Sequence, residues 1–190
     1  MVTLNRIYTR TGDQGSTRLA TGETVSKSDP RVATYGDVDE ANACVGLARL
    51  HTRGAPLDDI LARIQNELFD LGADLATPAR PDEAEGSALR ILDSQVARLE
   101  AEIDALNEDL PPLTSFILPG GAPAAAALHL ARTVARRAER AAVALAESGA
   151  PVSGPALRYL NRLSDLLFVA ARTANDGGRS EVFWKSGATR

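Results

Sequence analysis

The chain has 190 residues, 44% of them hydrophobic but only 4% aromatic, which suits one domain with an aliphatic core of closely packed helices. A net charge of -4 excludes broad nucleic-acid binding, and a single cysteine, Cys44, excludes an intrachain disulfide or a cysteine-rich metal site. No signal peptide and no apolar run long enough to span a membrane is visible, so a cytoplasmic location without a membrane partner is expected.

Residues 1–33 are rich in Thr, Gly, Ser, Arg and Asp and lack a helical period. They are expected to form an irregular arm, with at most short strands around Ile7–Tyr8. Between Tyr8 and Arg18 stand Thr9, Arg10, Thr11, Gly12, Asp13, Gly15, Ser16 and Thr17. Glycines let backbone N–H groups approach an anion, and hydroxyls and arginines add donors. The run matches neither a Walker A loop nor Gly-x-Gly-x-x-Gly, so a phosphate cradle and an ordinary polar turn both remain open. Asp29-Pro30 is a turn signal just before the first helix.

Five amphipathic patterns follow and predict an all-α, up-and-down five-helix bundle over 34–176. The first, 34–51, carries Val38, Ala41, Val45 and Ala48 on one face, with Asp37, Asp39, Glu40 and Asn42 near its start. Those carboxylates either complement the helix dipole or pair with a cationic stripe elsewhere. The second, 57–76, carries Leu61, Ile64, Leu68, Leu71 and Leu75. A polar loop over 77–88 precedes the third, 89–110, whose Leu92, Val96, Leu99, Ile103 and Leu106 have the spacing of a bundle seam. Pro111-Pro112 ends it.

The apolar run Phe116-Ile117-Leu118 closes on Pro119-Gly120-Gly121. The fourth helix, about 122–148, starts near Pro123 and stops near Gly149. It places Arg132, Arg136 and Arg140 on one face, with Glu139 beside them and Arg137 flanking. Such a stripe is either a solvated face or a polyphosphate cradle. The fifth helix begins at Ser153 as N-cap with Pro155 just inside, runs to about Asn175 and is stopped by Gly177-Gly178. Asn161, Arg162 and Asp165 interrupt its leucines, and polar groups that deep need partners. The tail, 177–190, contains Val182-Phe183-Trp184, apolar enough to dock on the bundle. The two histidines, His51 and His129, lack the Glu-x-x-His context of a di-iron bundle, and His129 reads as a core or interface residue.

Six motifs in order resemble the PduO-type ATP:cob(I)alamin adenosyltransferases over nearly the whole chain. They are Tyr8–Gly15, Asp29–Val32, Tyr35–Asn42, Phe116–Gly121, Arg132–Arg140 and Tyr159–Asp165. The resemblance implies a single adenosyltransferase domain, 1–190. It implies transfer of the 5′-deoxyadenosyl group of ATP to the cobalt of cob(I)alamin, with release of triphosphate and formation of adenosylcobalamin. It implies Mg²⁺ and a homotrimer with active sites between subunits. Thr9, Arg10, Thr11, Gly12, Thr17 and Arg18 would hold the nucleotide, with Lys27 on the phosphates. Arg136, Arg137, Glu139, Arg140 and Asn161 would complete the ATP site. Asp39 and Arg132 look like the family's charged pair across a subunit boundary, and Phe116 like the aromatic below the corrin. The family reaches cobalt(I) through a four-coordinate cobalt(II) state, so a reductase and an adenosylcobalamin-dependent enzyme are implied partners. No metal-ligating residue is assigned. Arg10 stands where the family usually has lysine, which keeps the charge but not the geometry. A non-catalytic ATP or corrinoid binder and a structural helical oligomer are the rival readings. The retained Lys27, Arg136 and Asn161 favour the enzyme.

Overall fold

The computed structural model describes residues 7–84 and 86–190. Five helices, α1 Pro30–Arg49, α2 Pro56–Leu75, α3 Asp93–Glu108, α4 Pro123–Glu147 and α5 Gly154–Ala174, follow a two-stranded hairpin, β1 Ser16–Arg18 and β2 Thr24–Ser26. The all-α bundle is the predicted one, but the strands are not. Ile7 and Tyr8 are exposed and belong to no strand; the pairing instead joins Ser16 to Ser26, Thr17 to Val25 and Arg18 to Thr24.

Two helix starts move for identifiable reasons. Asp29-Pro30 does not precede α1 by a turn; it is its cap. The Asp29 carboxylate accepts from the Arg31 N–H at 2.8 Å and Pro30 occupies the first turn, so the helix begins at 30 and not 34. Helix α3 begins at 93 and not 89. The buried Asp74 carboxylate accepts from the Ile91 N–H at 2.9 Å and from Arg90 at 2.7 Å, and Glu83 takes the other fork of Arg90. These bonds hold 90–92 extended, so Ile91 enters the core and Leu92, expected in the seam, is exposed. The end of α5 matches expectation: Ser153 accepts from the Ala156 N–H, and Gly177 and Gly178 take positive φ after the last turn.

Helix α1 packs between α2 and α4, and α5 packs between α4 and α3. Arg31 fixes the direction of these layers. Its buried guanidinium donates to the Leu75 carbonyl at 2.7 Å and the Pro151 carbonyl at 3.0 Å. The start of α1 therefore sits beside the end of α2 and the α4–α5 loop, which makes α1 antiparallel to both. Between α1, α4 and α5 the core is alanine-rich: Ala125, Ala131, Ala135, Ala138 and Ala142 are buried. On the other side it is leucine-rich, around Leu61, Ile64, Leu68, Leu99 and Leu163. Each fully buried aliphatic contributes about 1.5–3 kcal/mol. Tyr159 is the one large aromatic wholly buried among the described residues, and its hydroxyl donates to Glu67 at 2.8 Å. Burial and that carboxylate raise the phenol well above its ordinary pKa. None of the described helices is long and apolar enough to cross a membrane.

The tail is held by backbone pairing to the 116–118 segment, while Val182, Phe183 and Trp184 stay exposed and are not buried on the bundle as their apolar composition suggests. The Leu118 N–H donates to the Val182 carbonyl at 2.8 Å and the Trp184 N–H to the Phe116 carbonyl at 2.7 Å, with Ile117 bridging Phe183 antiparallel. Arg172 at the end of α5 forms a buried pair with Glu181 at 2.7 Å.

Replacing Arg31 with methionine keeps the apolar stem but removes both carbonyl bonds. Charged hydrogen bonds of this kind are worth about 1.5–3 kcal/mol, so urea unfolding should show a loss of about that size with an unchanged m-value.

Candidate functional site

The loop before β1 is shaped by one close approach. A Cβ on Gly12 would lie 3.1 Å from the Lys27 Nζ and 3.1 Å from the Ser16 carbonyl. The missing side chain lets the Lys27 ammonium cross the loop. The Lys27 N–H donates to the Gly15 carbonyl at 2.8 Å, which ties the foot of β2 to the loop. Arg10 takes positive φ, 63°, and its guanidinium lies 5.5 Å from the centroid of the Tyr8 ring. The hydroxyls of Thr9 and Thr11 are 2.8 Å apart. These residues line an open cleft of about 690 Å³ together with Gly12, Asp13, Thr17, Arg18 and Lys27. Of the arm residues singled out in the sequence, Thr9, Arg10, Thr11, Gly12, Asp13, Ser16, Thr17, Arg18 and Lys27 converge here, and Gly15 does not line the cleft. Arg10, Arg18 and Lys27 form no ion pair among the described residues, and with Asp13 the one carboxylate in the lining the cleft is net cationic.

A second cleft, of about 330 Å³, lies in the groove between α4 and α5 and is lined by Arg136, Glu139, Arg140, Val143, Glu147 and Asn161. The Asn161 amide donates to Glu139 at 2.8 Å, which presents the amide and carboxylate as a unit. Arg136 and Arg140 are exposed and unpaired among the described residues, although Arg140 donates to the Arg136 carbonyl at 3.2 Å. Arg137 is not part of this cleft. It reaches α1, where it pairs with Asp37 at 3.1 Å and with Glu40. The acidic cluster of α1 thus meets the basic helix, through its flank and not through the stripe. Arg158 and Arg162 likewise go elsewhere, to Asp93 and Glu100 of α3. Asp165, expected to be deep, is exposed on α5, and only partial desolvation raises its carboxyl above its ordinary pKa.

The two clefts share no lining residue, and no hydrogen bond or ion pair among the described residues joins the arm to the α4–α5 groove. Asp39 and Arg132 do not meet within the chain either. Asp39 is exposed on α1, while Arg132 is half-buried with its Nε sealed from solvent and without an acceptor. Burial, then neighbouring Arg136, lowers the Arg132 pKa. Phe116 is 78% exposed, so it is not core. Its ring packs edge-on against Trp184 at 6.2 Å, and with Leu118, Val182 and Phe183 it makes an apolar ribbon at the surface. The role of Trp184 as its partner was signalled only by the apolar composition of the tail. Among the described residues no group of three or more His, Cys, Asp or Glu side chains is placed to hold a metal ion.

Comparison with known proteins gives the family. The family described as cobalamin adenosyltransferase matches residues 7–174. The chain belongs to the cobalamin adenosyltransferase family. A corrinoid adenosyltransferase of Mycobacterium bovis is 50% identical over 191 residues, covering 100% of this chain and 97% of its own length. One from Bacillus subtilis is 45% identical over 174 residues, covering 90% of this chain and 86% of itself. Among solved structures, a phenylalanine-to-histidine variant of a PduO-type ATP:corrinoid adenosyltransferase from Lactobacillus reuteri, complexed with cobalamin and ATP, superposes with a TM-score of 0.87. It is 40% identical and covers 95% of this chain and 97% of its own. The chain is accordingly an adenosyltransferase that moves the adenosyl group of ATP to cobalamin.

One turn before Arg132 in this enzyme, His129 is buried with both ring nitrogens unpartnered, its ring edge-on to Phe168 at 6.2 Å. Burial, and secondarily Arg132, hold its pKa below the ordinary imidazole value, against a smaller opposing pull from Glu181. Unfolded, it binds a proton near pH 6.5; folded, it does so only at lower pH. The unfolded chain then binds more protons in that interval, so stability should fall as pH drops below about 6.5. His129→Leu should flatten this part of the profile of melting temperature against pH, whereas His51→Gln, at an exposed position, should not.

Proposed function

We propose that the ATP site is assembled from two copies of the chain, the arm cleft of one facing the α4–α5 groove of another in a homotrimer. The observation that carries this reading is the separation, within one chain, of two clefts whose cations, Arg10, Arg18 and Lys27 in one and Arg136 and Arg140 in the other, form no ion pair among the described residues. Each presents fork or ammonium donors suited to phosphate oxygens, and neither alone encloses a nucleotide. The unpartnered Arg132 and the exposed Asp39 are complementary in the same sense, a buried-edge cation and a free carboxylate that one chain does not bring together.

In this reading Thr9, Arg10, Thr11, Gly12, Thr17 and Arg18 hold the nucleotide and Lys27 contacts the phosphates. Arg136 and Arg140 take the other side of the triphosphate, and the Glu139–Asn161 unit orients the nucleoside. Arg137 acts from behind, as the tie between α4 and α1. The reaction is a substitution at the 5′ carbon of ATP. The cobalt–carbon bond forms as the carbon–oxygen bond breaks, and the electron pair of the broken bond leaves with triphosphate. No side chain has to act as nucleophile. The chain holds cobalt and carbon in line and stabilises the charge that gathers on the leaving group. Phe116 and its ribbon supply an apolar wall that keeps water from the lower face of the corrin. Mg²⁺ fits as a phosphate-bound ion that neutralises charge, with Glu139 and Glu147 the carboxylates at hand in the α4–α5 cleft. The relatives solved with cobalamin and ATP support this substrate pair. A cytoplasmic setting, where a reductase supplies reduced corrinoid and a dependent enzyme takes the product, completes the proposal.

Arg136→Ala removes one charge-assisted fork, worth about 1.5–3 kcal/mol, and should raise the KM for ATP or lower turnover by roughly tenfold to a hundredfold. Near-normal ATP use would remove the residue from the site. For the assembly, Asp39→Ala and Arg132→Ala should each weaken the trimer in sedimentation and lower activity, and the double variant should be little worse than either. A stable monomer at micromolar concentration, or fully additive losses, would overturn the shared site.

A further inference from the structure

An exposed ring such as Phe116 is positioned by whatever holds its backbone. The 116–118 segment is fastened on both sides to the end of α5. On one side lies the tail strand, pinned through the buried Glu181–Arg172 pair, with Arg172 also donating to the Pro111 carbonyl at 2.6 Å. On the other side lies Asn175, the C-terminal cap residue of α5, whose side chain is buried. Its Nδ2 donates to the Gly120 carbonyl at 3.0 Å and its Oδ1 accepts from the Ala122 N–H at 2.8 Å. The turn leaves room for nothing else. Gly121 has φ of 105°, and a Cβ there would lie 2.1 Å from the Asn175 Oδ1. Asn175 is itself fixed, because its N–H donates to the Ala171 and Arg172 carbonyls and its carbonyl accepts from the Ser180 N–H at 3.2 Å.

We propose that Asn175 is a positioning residue for the corrinoid subsite, holding the Pro119-Gly120-Gly121 turn so that the Phe116 ring stands at one place beneath the corrin. The inference rests on the reading of Phe116 as the wall of that subsite. An amide is the side chain this position requires, since it must give a proton to one backbone group and take one from the next. Aspartate would set a carboxylate oxygen against the Gly120 carbonyl, and alanine would leave two backbone groups unpaired. Asn175 touches no residue of either nucleotide cleft, so its effect should be confined to the corrinoid.

The full-length enzyme is assayed with ATP, Mg²⁺ and cobalt(II) cobalamin with a reduced flavin as electron donor, so that reduction to cobalt(I) takes place in the site, each substrate varied in turn. The variants are Asn175→Ala, the near-isosteric Asn175→Asp, Phe116→Ala and the Asn175→Ala/Phe116→Ala double. Circular dichroism checks the helices, and Asn175→Asp carries the comparison if the alanine variant does not fold. The KM for ATP should stay within about twofold, while kcat/KM for the corrinoid falls roughly tenfold or more, the size of loss that a misplacement near 1 Å produces. The double variant should lie no more than about twofold below Phe116→Ala, because the two changes act through one ring. Emission from Trp184, the only tryptophan in the chain, should become more readily quenched by acrylamide in both Asn175 variants as the ribbon loosens. Parental corrinoid kinetics in folded Asn175 variants, with Phe116→Ala impaired, would refute the positioning role and leave the Phe116 reading standing. Losses that multiply, or that fall equally on ATP, would reduce Asn175 to general stability. Parental corrinoid kinetics in Phe116→Ala would refute the reading of Phe116 and this proposal with it.

Discussion

Helix α4 must do two things at once, and the rest of the structure is arranged around that constraint. Alanines on its inner side let α1 and α5 approach closely, and the same 3.6-residue period that aligns them aligns Arg132, Arg136 and Arg140 on another side. Larger core residues on α4 would push α1 and α5 away. Asn161 would then no longer reach Glu139 across the α4–α5 groove, and Asp37 would no longer reach Arg137 across the α1–α4 groove. The close packing of one face therefore sets the geometry of the polar face.

Charge is distributed according to the same division. The arginines that brace the bundle are committed: Arg49 to Asp58, Arg63 to Glu67, Arg90 to Asp74 and Glu83, and Arg172 to Glu181. The cations of the two clefts are not. A guanidinium that already holds a carboxylate offers little to a phosphate, so free forks mark where an anion is expected. Arg137, Arg158 and Arg162 lie close to the clefts in sequence, yet they fall on the structural side of this line because α1 and α3 present carboxylates to them.

The proposed corrinoid side is built by different means. It uses few charges and depends on backbone pairing between two segments distant in sequence, 116–118 and 182–184, both fastened at the end of α5. A ribbon held at its edges by buried bonds can expose aromatic rings to a large flat ligand without giving up its own order. The bundle supplies the rigid frame, and the ribbon and arm supply the surfaces that a frame of helices cannot.

The sequence by itself determined the all-helical class, the number and rough extent of the helices, the cap at Ser153 and the family. These follow from local period, capping chemistry and motif order, which a linear reading contains. It also singled out most of the arm residues that the cleft gathers, though not Thr24. Only the tertiary structure decided that the strands lie at 16–18 and 24–26, because a two-stranded pairing with no apolar alternation leaves no periodic mark. Only it decided that Leu92 yields its core place to Ile91, because a carboxylate from α2, Asp74, captures the backbone there. The partition of Arg136 from Arg137, adjacent in sequence but turned about 100° apart on the helix, depends on which neighbour each one faces. The part played by Asn175 was likewise invisible, since its two bonds join residues more than fifty positions away, and separation of that kind is what a chain acquires only by folding.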